Sequence, residues 1–140
     1  MLTDAKLRQG TTAWLEMVGT LMSEAASQSG LSPELNVSLV ERYTDGVELS
    51  EGLVQGIRFD IICGKPSFRI GVQPDERGDI MIEVTAAAAR RLNLLGSADP
   101  NYRTASASFL RSGEMRVNGD LSRLGGWLNA VHDRIVDRTS

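Results

Sequence analysis

The sequence predicts an α+β fold, with a five-stranded, mostly antiparallel sheet covered on one face by helices. Three observations carry that prediction. Runs between residues 34 and 84 alternate apolar and polar side chains, as strands with one buried face do. Helical periodicity flanks those runs on both sides. The stretch from Leu110 to Val131 then reads as a helix end, a short strand with Met115 and Val117 on one face, an Asn118-Gly119 corner, and a helix capped by Asp120. In that last helix Leu121, Leu124, Leu128, Val131 and Ile135 recur at spacings of 3, 4, 3 and 4, so one stripe faces inward.

A chain of 140 residues is long enough for one sizeable core, and no linker or repeat divides it, so residues 1–140 are expected to form one domain. An N-terminal helix occupies 1–30, capped by Thr3 or Asp4, with Leu7, Trp14, Val18, Leu21 and Ala25 as its stripe and Leu15 and Met22 widening it. Gly30 and Pro33 stop it. Gly19 in its interior costs about 1 kcal/mol relative to alanine, so packing has to hold the helix together. Residues 34–84 form a strand meander. Leu35, Val37, Leu39, Glu41 and Tyr43 share one phase; Val47 to Leu53 suits a short helical turn; Ile57, Phe59 and Ile61, then Phe68, Ile70 and Val72, then Ile80, Ile82 and Val84 point inward from three further runs. Gly64-Lys65-Pro66 and Pro74 to Gly78 have hairpin-turn composition. Residues 85–112 hold two helices, capped by Thr85 and by Asp99 with Pro100 behind it. Residues 114–138 supply the last strand and the C-terminal helix.

Net charge is −3, which argues against a nucleic-acid partner. Residues 1–84 carry 7 Lys/Arg against 13 Asp/Glu, whereas residues 85–140 carry 8 against 5. A single cysteine, Cys63, excludes an internal disulfide and reads as a small buried hydrophobe. No leader pattern opens the chain and no apolar run reaches membrane-spanning length, so the cytoplasm is the expected location.

The tail carries a pattern of the form hydrophobic-x-Ser-Gly-x-hydrophobic-x-hydrophobic-x-Gly-Asp-hydrophobic, set by Leu110, Ser112, Gly113, Met115, Val117, Gly119, Asp120 and Leu121. With the upstream IMIEVT strand and its threonine-capped helix, it resembles the sterol carrier protein type 2 family of lipid-binding domains. The resemblance covers Ile80 to about Val131 well, Val54 to Asp79 in outline, and the first 50 residues hardly at all. It departs at Glu114, where the family is often basic, and the chain ends Asp-Arg-Thr-Ser rather than in a peroxisomal signal, which suggests a stand-alone prokaryotic-type relative. The resemblance implies a helix-covered sheet enclosing an apolar tunnel for sterols, fatty acids or acyl chains, and non-catalytic binding or transfer of such a ligand without cofactor or metal. The expected wall is Phe59, Ile61 and Ile82 from the strands, Leu92, Leu95, Phe109 and Leu110 from the middle helices, and Leu124, Trp127, Leu128 and Val131 from the last.

Gly125-Gly126 falls within the last stripe. Either the helix kinks or packs closely there, or the missing side chains leave room for a ligand. Arg90, Arg91, Arg111, Arg116 and Arg123 are candidates for a basic patch at the tunnel mouth that docks transiently on an anionic membrane. Catalysis finds little support. His132 is the only histidine and reads as a surface or helix-end residue; Asp133 beside it points about 100° away on a helix. No GxSxG, HExxH or phosphate-loop motif is present. Asp75, Glu76 and Asp79 read as a solvated turn. The competing expectation is an interaction module or accessory subunit, for example in lipid or quinone metabolism, whose core is filled by its own side chains and whose partner is another protein or a second copy.

Overall fold

The computed structural model describes residues 5–140. Helix α1 (Thr12–Gln28) is capped by Thr11, whose hydroxyl accepts the Trp14 N–H at 3.2 Å. The helix therefore starts later than 1–30, and the expected caps Thr3 and Asp4 lie outside the described residues. Leu7 is not helical; its N–H donates to the Arg138 carbonyl and it bridges to Thr139. Trp14, Leu15, Val18, Leu21 and Met22 are buried. Gly19 is explained by what faces it: a Cβ there would stand 2.3 Å from the Phe68 ring, so the helix rests its bare backbone on the sheet.

Among the described residues the sheet has six strands. Strand β1 (Val37–Tyr43) lies between β3 (Leu53–Ile62), antiparallel, and β5 (Ile80–Val84), parallel. Strand β4 (Lys65–Val72) covers the outer edge of β3, β6 (Met115–Asn118) that of β5, and the short β2 (Glu48–Ser50) pairs with the start of β3. Three expectations change. Val47 to Leu53 is part of a β2–β3 hairpin, not a helical turn. The turn before β4 is Cys63-Gly64, with φ of +51° and +75°, the paired left-handed geometry of a two-residue hairpin; Cys63 is thus exposed and Pro66 sits in the strand.

The third change is topological. Residues 73–79 are not a hairpin but a crossover from β4 to β5, so 34–84 is not a simple meander. The crossover runs over the face away from the helices. There Glu76 accepts hydrogen bonds from Arg58, Arg69 and the Gln73 N–H, and Arg58 also donates to the Arg77 carbonyl. Burial alone would raise the Glu76 pKa, but these donors hold it below the ordinary carboxylate value. Beneath lie buried Val40, Val72 and Met81. Val72 belongs to this side because the β3–β4 register shifts between Val54 and Ile57, contrary to its predicted phase with Phe68 and Ile70.

Helix α2 (Ala86–Asn93) is capped by Thr85 and α3 (Pro100–Ser112) by Asp99, as expected. Asp120, however, caps only a 3-10 turn, Leu121–Arg123. Gly125 then takes φ +118°, which breaks the helix, and α4 runs Trp127–Asp137. The paired glycines therefore separate two elements instead of weakening one. The main core joins α1 to Leu39, Phe59, Ile61 and Ile80 and to Leu124, Trp127, Val131 and Ile135. Among the described residues no helix is long and apolar enough to cross a membrane.

Gly19→Ala gains about 1 kcal/mol of helix propensity but forces the Phe68 ring aside, for which overpacking costs about 1–3 kcal/mol. We expect a net loss of stability in denaturant unfolding, smaller in a Phe68→Leu background. A stabilised Gly19→Ala protein would show that the contact is not tight.

Candidate functional site

Between the sheet and the helices lies a cavity of about 540 Å³. Its floor is Leu39 and Glu41 of β1, Ile82 and Val84 of β5, and Met115 of β6. Trp14, Val18 and Met22 of α1 close one side; Ala89, Leu92 and Asn93 of α2 and Tyr102 of α3 close another. Leu121, Ser122, Gly125 and Gly126 and, from α4, Leu128, Asn129, Val131, His132 and Ile135 complete it. Ser122, Gly126 and Asn129 are also exposed and mark the mouth. The opening coincides with the break between the 3-10 turn and α4 at Gly125-Gly126, where side chains are absent.

Of the eleven residues expected to form the wall, Ile82, Leu92, Leu128 and Val131 line this cavity. Phe59, Ile61, Leu124 and Trp127 lie in the solid core beside it. The Phe59 and Trp127 rings pack with centroids 5.5 Å apart, and the Trp127 indole N–H donates to the Leu124 carbonyl at 2.8 Å, which turns both rings away from the space. Phe109 packs with Tyr43, Val84, Ala88 and Ala89. Leu110 is 50% exposed on α3, out of phase with the face that packs inward. Leu95 contributes a backbone carbonyl, not a side chain, to the cavity's surroundings.

Two polar features were not expected. Glu41 occupies the inward phase of β1, opposite Ile57 on one neighbour and Ile82 on the other. Nothing among the described residues is hydrogen-bonded to its carboxyl, and burial pushes its pKa up from 4.5 to about 7. The signal was in the sequence, as the one charged residue in an otherwise apolar alternation. The second feature is His132, which lies on the cavity wall, not at the surface. Its ring packs on Tyr102 at 4.5 Å, and Nε2 is 2.9 Å from the Leu95 carbonyl. Burial raises the Tyr102 pKa. Asp133 turns away to accept bonds from Ser97 Oγ at 2.6 Å and Ser97 N–H at 2.7 Å, so it does not orient the imidazole.

The five arginines do not form a patch. Arg90 donates to the Ser140 carbonyl and lines a separate polar pocket with Arg8, Gln9, Tyr43 and Gln55. Arg116 lies on the far face of the sheet beside Glu83, which also pairs with Arg42. Arg123 donates to the Asn36 carbonyl, and Arg91 and Arg111 are exposed on α2 and α3. Among the described residues no group of three or more His, Cys, Asp or Glu is placed to hold a metal ion.

Glu41 ties stability to pH. Its folded pKa lies above its unfolded value, so its cost is absent below about 4.5, grows as pH rises, and is complete above about 7. The full cost is about 3 kcal/mol. Glu41→Gln is expected to match the parent near pH 4.5 and to gain stability progressively, approaching that difference by about pH 8, in unfolding curves taken across the range. A difference that does not change with pH would contradict a desolvated, unpartnered carboxyl.

No family profile and no curated protein matches this sequence. Among solved structures, a crystal structure of sterol carrier protein 2 aligns with TM-score 0.55 over 95% of this chain and 100% of that one, at 14% identity. The chain is also similar to UbiJ-SCP2, a ubiquinone synthesis protein, at 15% identity over 89% of each chain with TM-score 0.48. It is similar to the sterol carrier protein domain 2 of Helicoverpa armigera at 11% identity over 97% of each, with TM-score 0.44. The architecture built from these strands and helices is the sterol carrier protein 2 fold.

Proposed function

We propose that this protein binds an amphipathic lipid in the cavity under α4 and performs no chemistry on it. The observation that carries this reading is an unfilled space of about 540 Å³ with largely apolar walls, inside the size range of small-molecule sites. Each buried methylene contributes about 0.8 kcal/mol, so a dodecyl chain gains on the order of 10 kcal/mol gross. Immobilisation offsets about 4–15 kcal/mol, which leaves useful affinity only if most of the chain is buried. A cleft between sheet and helices supports that; a surface groove would not. The wall chemistry supports binding without turnover. The His132 Nε2 is engaged by the Leu95 carbonyl and Asp133 is engaged by Ser97. Neither is set up as half of an acid–base couple.

Dodecanol is the simplest probe, read by titration calorimetry and by native mass spectrometry of the complex. Leu128→Trp places an indole in the cavity and is expected to weaken binding at least about tenfold while leaving the thermal midpoint within a few degrees. Failure of the parent protein to bind dodecanol, or unchanged binding by Leu128→Trp, would overturn the reading.

A further inference from the structure

We propose that the cavity selects its ligand by head-group charge, seating a long-chain primary amine with its ammonium on the Glu41 carboxylate in preference to a fatty acid of equal length. The inference rests on the lipid-binding reading and specifies its ligand class. Three features of the wall support it. Glu41 is half-buried in the middle of the central strand, faces the cavity and has no hydrogen-bond partner among the described residues. Among the described residues no lysine or arginine lines the cavity, so a fatty-acid carboxylate entering there would meet a second carboxyl and no fixed cation. Leu39, Ile82, Val84 and Met115 make the rest of the cavity floor apolar, so a ligand that displaces water from the carboxyl must either neutralise it or leave it protonated. An ammonium group neutralises it directly, and the alkyl chain takes the remaining apolar wall.

Two ligand classes should therefore respond to pH with opposite signs. The groups that face Glu41 are few. On β1 itself, Tyr43 is the next inward residue, its hydroxyl bonded to Gln9, and burial keeps it neutral. From β3 and β5 the neighbours are Ile57 and Ile82, and from α1 and α2 they are Trp14, Val18 and Asn93. Tyr102 of α3 and His132 of α4 are the titratable groups across the cavity. Arg42 and Glu83 pair with each other on the opposite face. An amine binds the ionised Glu41, so its affinity rises as pH increases through about 7. A neutral alcohol that dries the carboxyl binds best when Glu41 carries a proton, so its affinity falls over the same interval.

The test titrates dodecylamine, dodecanol and dodecanoate, each below its micelle concentration, into the parent protein, Glu41→Gln and, as a control on the exposed face of α1, Glu16→Gln at about pH 6 and pH 8. We expect the parent at pH 8 to bind the amine at least about tenfold more tightly than the carboxylate, with opposite pH slopes for amine and alcohol. Glu41→Gln should flatten both slopes and shrink the amine preference to below about threefold, whereas Glu16→Gln, which removes a carboxyl outside the cavity, should retain both. Dodecanol binding with the carboxylate bound as tightly as the amine, or a preference that survives Glu41→Gln, would overturn the head-group inference alone. Absence of dodecanol binding would overturn the lipid-binding reading and this inference with it.

Discussion

Strand β1 is hydrogen-bonded along both edges, to β3 on one side and β5 on the other. Its backbone polarity is thereby consumed, and only its side chains decide what each face of the sheet becomes. Ser38, Val40 and Arg42 project to the side crossed by the 73–79 connection. Val37, Leu39, Glu41 and Tyr43 project toward the helices. At Val37 the interior is solid, packed by α1 and the Phe59 and Trp127 rings. At Tyr43 it is closed again by α2 and α3. Between them lies the cavity, and the β1 residues that face it are Leu39 and the glutamate.

The two faces treat a partly buried carboxyl in opposite ways. Glu76, on the far face, is held by two guanidinium groups and a backbone N–H, and it locks the crossover in place. Glu41, on the near face, has no such partner and remains costly to ionise. A structural carboxyl is normally satisfied within its own fold, because an unpaired buried charge is strongly unfavourable. That Glu41 is not satisfied is why a ligand head group is the natural place to look for its partner.

Local signals were legible in the sequence and long-range ones were not. Thr85, Asp99 with Pro100, and the Met115–Val117 strand each depend on a few neighbouring residues, and each stands where composition places it. The helix start moved to Thr11 because its hydroxyl reaches the Trp14 N–H. The parallel β1–β5 pairing involves residues some forty positions apart, and no periodicity encodes it. The site was partly legible for the same reason. Ile82, Leu92, Leu128 and Val131 follow from inward phase alone, but inward phase does not distinguish a wall from a solid core, so Phe59, Ile61, Leu124 and Trp127 look identical to them in sequence. Glu41 was visible as an exception in its alternation, and His132 lies one residue beyond Val131, on the flank of the stripe.

The parallel pairing also has a consequence for how the chain reaches this state. A nascent chain can assemble α1, β1, β3 and β4 from residues made early, yet the second edge of β1 stays unpaired until Val84 has emerged. That edge is an adhesive template for any other strand nearby. The helix that roofs the hollow is made last, so the greasy interior stands uncovered through most of translation. Pairing with β5 removes that open edge, so the parallel contact doubles as the seal of the sheet's central strand.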